Sequence, residues 1–236
     1  MSALLHRGQA KPGVLPQEKG ESMETIGYEE LEAFFQGAAD IFREKKEELC
    51  AMDAKMGDGD LGLTMEKGFA ALPGIIRENG EPGNIGKTLM KSGMKMAALV
   101  PSTMGTLMAS GIMAGGKAIG AKSGIGTEEL VQFLRGFAEG IRKRGKCERG
   151  DRTILDALAP AADAAAEARN RGAGLAEIMQ AARMGAEAGA EATRDMLPRF
   201  GKAAVFADKA KGTEDQGAAA GVYLMEGLER YFHEST

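Results

Sequence analysis

From about residue 28 to the C-terminus, apolar residues recur at the three- and four-residue spacing of a helix, and no convincing run alternates like a half-buried strand. Leu31, Phe34, Phe35, Ala38, Ile41, Phe42 and Leu49 form one stripe, with Glu and Lys opposite. Leu130, Leu134, Phe137 and Ile141 form another, behind Thr127 as N-cap with Glu128 and Glu129 in the first turn. Further helices are expected near 61–78, 84–100, 104–119, 152–169, 174–196 and 215–232. That makes roughly eight helices on short Gly-rich links, and short links favour antiparallel neighbours. The expected fold is all-α: a single up-and-down antiparallel eight-helix bundle or barrel over 25–236. Residues 1–24 are polar, Gly/Pro-punctuated and aperiodic, and read as a flexible N-terminal tail.

Composition narrows the function. A net charge of −4 and the lack of a Lys/Arg run with interleaved aromatics give no reason to expect nucleic acid. The tail has no continuous apolar segment of the secretory kind. The most apolar region, 94–116, is broken by Lys95, Pro101, Ser102 and several glycines, so it reads as core, not membrane. Cys50 and Cys147 are too few for a disulfide framework or a zinc site and read as cytosolic thiols, which places the chain in the cytoplasm.

Three Gly-rich segments resemble phosphate loops. Gly57–Gly62 matches G-x-G-x-x-G, but it follows a helical pattern instead of a strand and carries two carboxylates where an anion would sit. The segments Gly111–Ala118 and Gly83–Thr88 each miss one element of a P-loop, and neither follows a strand. Close helix packing is the better reading for both.

The acidic loop is stronger. Asp53, Asp58 and Asp60 crowd into eight residues, two of them flanked by glycine. Carboxylates so close repel unless a cation neutralises them, and hard oxygen donors suit magnesium or calcium. The spacing excludes an EF-hand, since Leu63 and Phe69 stand where its Gly and Glu belong. Two readings remain open on residues alone: a magnesium site shared with substrate phosphates, or a solvated turn in which Asp60 caps the next helix.

The segment DAKMGDGDLGLTMEKGF closely resembles an element of the L subunit of dihydroxyacetone kinase. In order along the chain, Arg144-Gly145-Lys146 with Gly150-Asp151-Arg152-Thr153-Ile154-Leu155-Asp156, and then Thr193 to Lys202 with Gly212 to Ala218, are similar to that family's later elements. The resemblance implies a barrel of eight antiparallel helices with ADP or ATP bound at one end. It implies that Asp53, Asp58 and Asp60 hold two magnesium ions on the nucleotide's phosphates. Nucleotide contacts would come from Leu61, Gly62, Leu63, Thr64, Thr103, Met104, Gly145, Ile154, Lys202, Asp215, Gln216 and Gly217. Lys202 is the candidate phosphate-stabilising cation, with a surface lysine as the alternative; Thr64 and Thr103 are phosphate donors or helix caps.

The resemblance also implies a separate K-type subunit that holds the ketose on a histidine. The chain's own His6 and His233 sit in no motif. The phosphoryl donor is free ATP or a phosphotransferase-system phosphocarrier acting on retained ADP, and self-association as a homodimer is left open. Four departures stand out: Leu61 replaces a common His, Pro101-Ser102-Thr103-Met104 replaces Gly-Gly-Ala-Ser, Lys202 replaces Arg and Gln216 replaces Pro. They motivate the alternative of a non-catalytic or regulatory binding module.

Overall fold

The computed structural model describes residues 25–201, 204–205 and 210–234. The expected tail and Lys202 lie outside the described residues. Nine α-helices occur among those described: α1 (Leu31–Glu44), α2 (Lys46–Asp53), α3 (Leu61–Asn79), α4 (Ile85–Leu99), α5 (Thr103–Ile119), α6 (Thr127–Gly145), α7 (Leu155–Asn170), α8 (Leu175–Ala192) and α9 (Gln216–Glu234). A 3₁₀ turn at Thr193–Asp195 extends α8. Among the described residues one small sheet pairs β1 (Ile26–Gly27) antiparallel with β2 (Gly124–Ile125).

The boundaries follow local chemistry. Asn84 Oδ1 accepts the Lys87 N–H to start α4, and Ser102 Oγ accepts the Gly105 N–H to start α5. Thr127, expected as an N-cap, is instead the first helical residue of α6; Glu129 reaches back to the N–H of Gly126. The stripe expected as one helix to Leu49 is two, with the break at Lys45.

The helices pack as a closed ring. α1 lies on α3, then α4, α5, α6, α7, α8 and α9 follow in order, and α9 returns to α1. The short α2 sits outside the count of eight staves, against α3 and α9. The interior is filled by Phe34, Phe35, Phe42, Phe69, Leu72, Ile76, Phe133 and their neighbours, all fully buried. Phe34 meets Tyr231 edge-on at 5.7 Å and Phe35 meets Phe133 at 6.1 Å, joining α1 to α9 and α6 across the core.

The near-miss phosphate loops are packing surfaces. A side chain at Gly86 would fall 2.2 Å from the carbonyl of Gly120, and one at Gly115 would strike the Phe133 ring. No described helix is long and apolar enough to cross a membrane.

In an up-and-down ring, alternate links lie at the same end. Links 54–60, 100–102, 146–154 and 193–215 therefore share one mouth, and 80–84, 120–126 and 171–174 share the other. The acidic loop, Pro101 and Ser102, the 146–154 segment and Asp215 fall in the first group, whereas the near-miss loop at Gly83 lies at the other mouth.

Candidate functional site

Asp53 ends α2 and is buried, with its carboxylate fixed from two directions. Its Oδ2 accepts the N–H of Gly59 (2.8 Å) and of Asp60 (3.1 Å), and its Oδ1 accepts from Gln216 Nε2 (3.3 Å) at the start of α9. The glycines are required here. Gly59 has φ +78°, and a side chain at Gly57 would sit 2.1 Å from Asp53 Oδ1. The chain thus folds back so that one oxygen from each of Asp53, Asp58 and Asp60 lies within 4.8 Å of the others, with Asp58 and Asp60 exposed.

Asp60 occupies the N-cap position of α3, yet its side chain makes no capping bond. The capping part of the alternative reading finds no hydrogen bond, while the exposure of Asp58 and Asp60 is compatible with its solvated turn. Three converging carboxylates, one rigidly held, form a donor set suited to a hard divalent cation.

The cluster opens into a cleft of about 630 Å³. Asp53, Asp58, Asp60, Leu61 and Thr64 line it from one side, Thr103 and Met104 from α5, Ile154 from the α6–α7 link, and Asp215, Gln216 and Gly217 from the start of α9. Gly145 lines an adjoining hollow of about 440 Å³ that shares Pro101, Ser102, Thr103 and Leu107 with the cleft. Two expected residues stand apart. Gly62 is pressed against the Lys46 carbonyl of α2, and the Leu63 side chain is exposed. Their backbone N–H groups still belong to the first turn of α3, where donors lack intrahelical acceptors. Lys202 falls outside the described residues, although Phe200 and Gly201 just before it line the cleft.

The structure also sorts the threonines. Ser102 is the cap of α5, so Thr103 is not; Thr64 lies one turn inside α3, its Oγ1 3.5 Å from Ser102 Oγ. Neither hydroxyl is needed to start a helix.

The GDRTILD segment forms a tight loop around Asp156. That buried carboxylate accepts the N–H groups of Gly150 (2.5 Å) and Thr153 (2.8 Å). Arg152 is held between them with φ 60° and only 3 % exposed, so its guanidinium is inside the protein. Arg152 lies within the Gly150–Asp156 motif, and nothing in the motif's sequence assigns it a role. The available signal was a basic residue inside a loop otherwise built of capping types.

Asp215 has a structural task as well as a place in the cleft wall. Its carboxylate accepts the Ala218 N–H (2.9 Å), capping α9, and its own N–H donates to Thr193 Oγ1 (2.9 Å). Burial pushes its pKa up to about 6, against opposing help from the Ala218 N–H and Arg152; Asp156 adds to the rise. The folded chain therefore binds this proton more tightly than the unfolded chain does. Its contribution favours folding at low pH and is lost as pH rises through about 6. Asp215→Asn should gain stability relative to wild type by on the order of 2 kcal/mol between pH 4 and 6.5, read from urea unfolding at each pH. A difference that stays flat across that window would refute the shift.

Fold and site together define a class: a closed helical barrel presenting a cluster of three carboxylates beside a cleft at one mouth. The DAK2 domain family matches residues 55–230, and the chain belongs to that family. It is 31% identical over 193 residues to the ADP-binding subunit DhaL of the PEP-dependent dihydroxyacetone kinase of Escherichia coli (strain K12), covering 80% of this chain and 90% of that one. It is 34% identical over 200 residues to the L-erythrulose 1-kinase of Mycolicibacterium smegmatis, covering 84% of this chain but 34% of that longer protein. The crystal structure of the dihydroxyacetone kinase from C. freundii in complex with AMP-PNP and Mg2+ aligns with a TM-score of 0.64 at 23% identity, over 95% of this chain and 38% of that chain. This last likeness establishes the shared barrel.

Proposed function

We propose that this chain carries ADP or ATP through magnesium held by Asp53, Asp58 and Asp60, as the nucleotide subunit of a dihydroxyacetone-type kinase. The observation that carries the reading is the convergence of those three carboxylates at the mouth of a cleft entered by the first turns of α3 and α5. Bound magnesium would supply charge neutralisation for the phosphates. The chain's own residues do the positioning. Asp53 is fixed by two backbone donors, the N-terminal turns of α3 and α5 turn their N–H groups toward anions, and Met104, Leu107 and Ile154 give the cleft an apolar side for a base.

The relatives' names support the same reading. One is an ADP-binding subunit of nearly this length, and another is a ketose kinase of which the chain matches about a third. His233, the one histidine among the described residues, is exposed near the end of α9, at the opposite mouth from the cleft. No histidine base faces the cleft among the described residues. As the family resemblance implies, the reading includes a separate K-type subunit that holds a short ketose, dihydroxyacetone or a related triose or tetrose.

Calorimetry tests the nucleotide step: Mg-ADP should bind, and ADP with chelator should bind far more weakly. The purified chain with Mg-ATP should leave dihydroxyacetone unphosphorylated until a K-type subunit is added. ADP that stays bound through gel filtration would favour rephosphorylation by a phosphotransferase-system phosphocarrier over free exchange. No binding at millimolar nucleotide would instead make the chain a module that kept the barrel without the activity.

A further inference from the structure

Arg152 is a buried cation whose hydrogen-bond acceptors among the described residues are all neutral. Nε donates to the Thr193 carbonyl (3.2 Å), and Nη2 donates to the carbonyls of Ala210 (3.1 Å) and Thr213 (2.8 Å) and to Thr213 Oγ1 (3.0 Å). The nearby buried acids are engaged elsewhere. Asp151 accepts the Glu148 N–H and pairs with Arg199, Asp156 holds the loop, and Asp215 caps α9. Among the described residues Nη1 has no hydrogen-bond partner.

A guanidinium carries five N–H donors, and leaving two of them unused inside a protein is costly, more so because they are charged. Tying the α6–α7 link to the end of α8 and to the approach to α9 needs only Nε and Nη2. The idle edge serves no part of that clamp; Nη1 itself is buried, and Arg152 as a residue lines the cleft. Its αL backbone, uncommon for a residue other than glycine, is enforced by the Asp156 loop.

We propose that Arg152 is an anion-contact residue: Nη1 donates to a phosphate oxygen of the nucleotide while Nε and Nη2 hold the walls of the cleft in place. This rests on the nucleotide reading above. It gives the cleft a cation held from inside the protein. The same side chain links phosphate binding to the segment that leads into α9.

The test compares ligands with and without phosphate. Arg152→Lys should weaken Mg-ADP by about 10- to 100-fold, as expected for a charge-assisted hydrogen bond. Adenosine, which offers no phosphate, should bind the variant as it binds wild type. Equal loss for both ligands would mean that Arg152 is only a clamp and would overturn the assignment. Thr213→Val separates the two roles in another way, because it removes one clamp partner and leaves Nη1 untouched; it should keep wild-type Mg-ADP affinity, and reproducing the Arg152→Lys loss would overturn the assignment. Side-chain 15N spectra of the wild-type chain make the test without substitution. The Arg152 Nη signals should shift on adding Mg-ADP and not on adding adenosine, and a spectrum unmoved by Mg-ADP would overturn the proposal. Wild-type chain that fails to bind Mg-ADP sinks both readings; wild type that binds while Arg152→Lys binds equally well sinks only this one.

Discussion

Asp60→Asn should abolish magnesium-dependent ADP binding while leaving the metal-free chain as stable as before, or slightly more so. Asp60 is exposed, makes no capping bond and lies within 4.8 Å of two other carboxylates. Removing its charge relieves repulsion in the metal-free state and gives up only a modest favourable contact with the dipole of α3. Removing a residue that merely orients a metal ligand commonly costs 10- to 100-fold, so loss of a ligand itself should exceed roughly 100-fold. Asp53→Ala should behave differently. It strips the acceptor from the Gly59 and Asp60 N–H groups, so both binding and the melting temperature should fall. Calorimetry with Mg-ADP, and melting curves with and without magnesium, separate the two patterns. Asp60→Asn that binds Mg-ADP as wild type does would remove the cluster from the mechanism.

The acidic loop was legible in the sequence because its members are neighbours: the three acids and the glycines that bend the backbone lie between residues 53 and 60. Most helices were legible for the same reason, since periodicity and caps are local signals. The break at Lys45 left no such mark; no Gly or Pro stands near it. The role of Arg152 was also hidden, because its acceptors lie at Thr193, Ala210 and Thr213, 41 to 61 residues away. Gly37 gave no signal at all. Its importance depends on a contact with Gly227, which only the closed ring creates. The resemblance supplied the expected nucleotide contacts, and of these Gly62, Leu63 and Gly145 do not line the cleft itself.

The seam that closes the barrel gives the largest expected loss of stability. α1 meets α9 through two glycines: a side chain at Gly37 would fall 2.1 Å from the Gly227 carbonyl, and one at Gly227 would fall 2.6 Å from the Ala38 Cα. Both obstacles are backbone, so no rotamer change relieves them. Replacing a helical glycine normally gains up to about 1 kcal/mol from reduced chain freedom. At Gly37 the collision should outweigh that gain, and Gly37→Val should destabilise by roughly 3 kcal/mol. For a chain of this size that corresponds to a melting temperature lower by about 6 to 12 °C. Gly74→Ala in α3 is the control, because its nearest neighbour would be the end of the Arg77 side chain at 3.8 Å; it should hold or raise the melting temperature. The same seam keeps α2, which carries Asp53, beside the start of α9, which carries Gln216. Asp53 is nonetheless fixed locally by Gly59 and Asp60, so Gly37→Val assayed well below its transition should keep most of its Mg-ADP affinity. A variant that melts normally would mean that the ring closes elsewhere. One that loses nucleotide while still folded would mean that the carboxylate cluster depends on the whole barrel and not on its own loop.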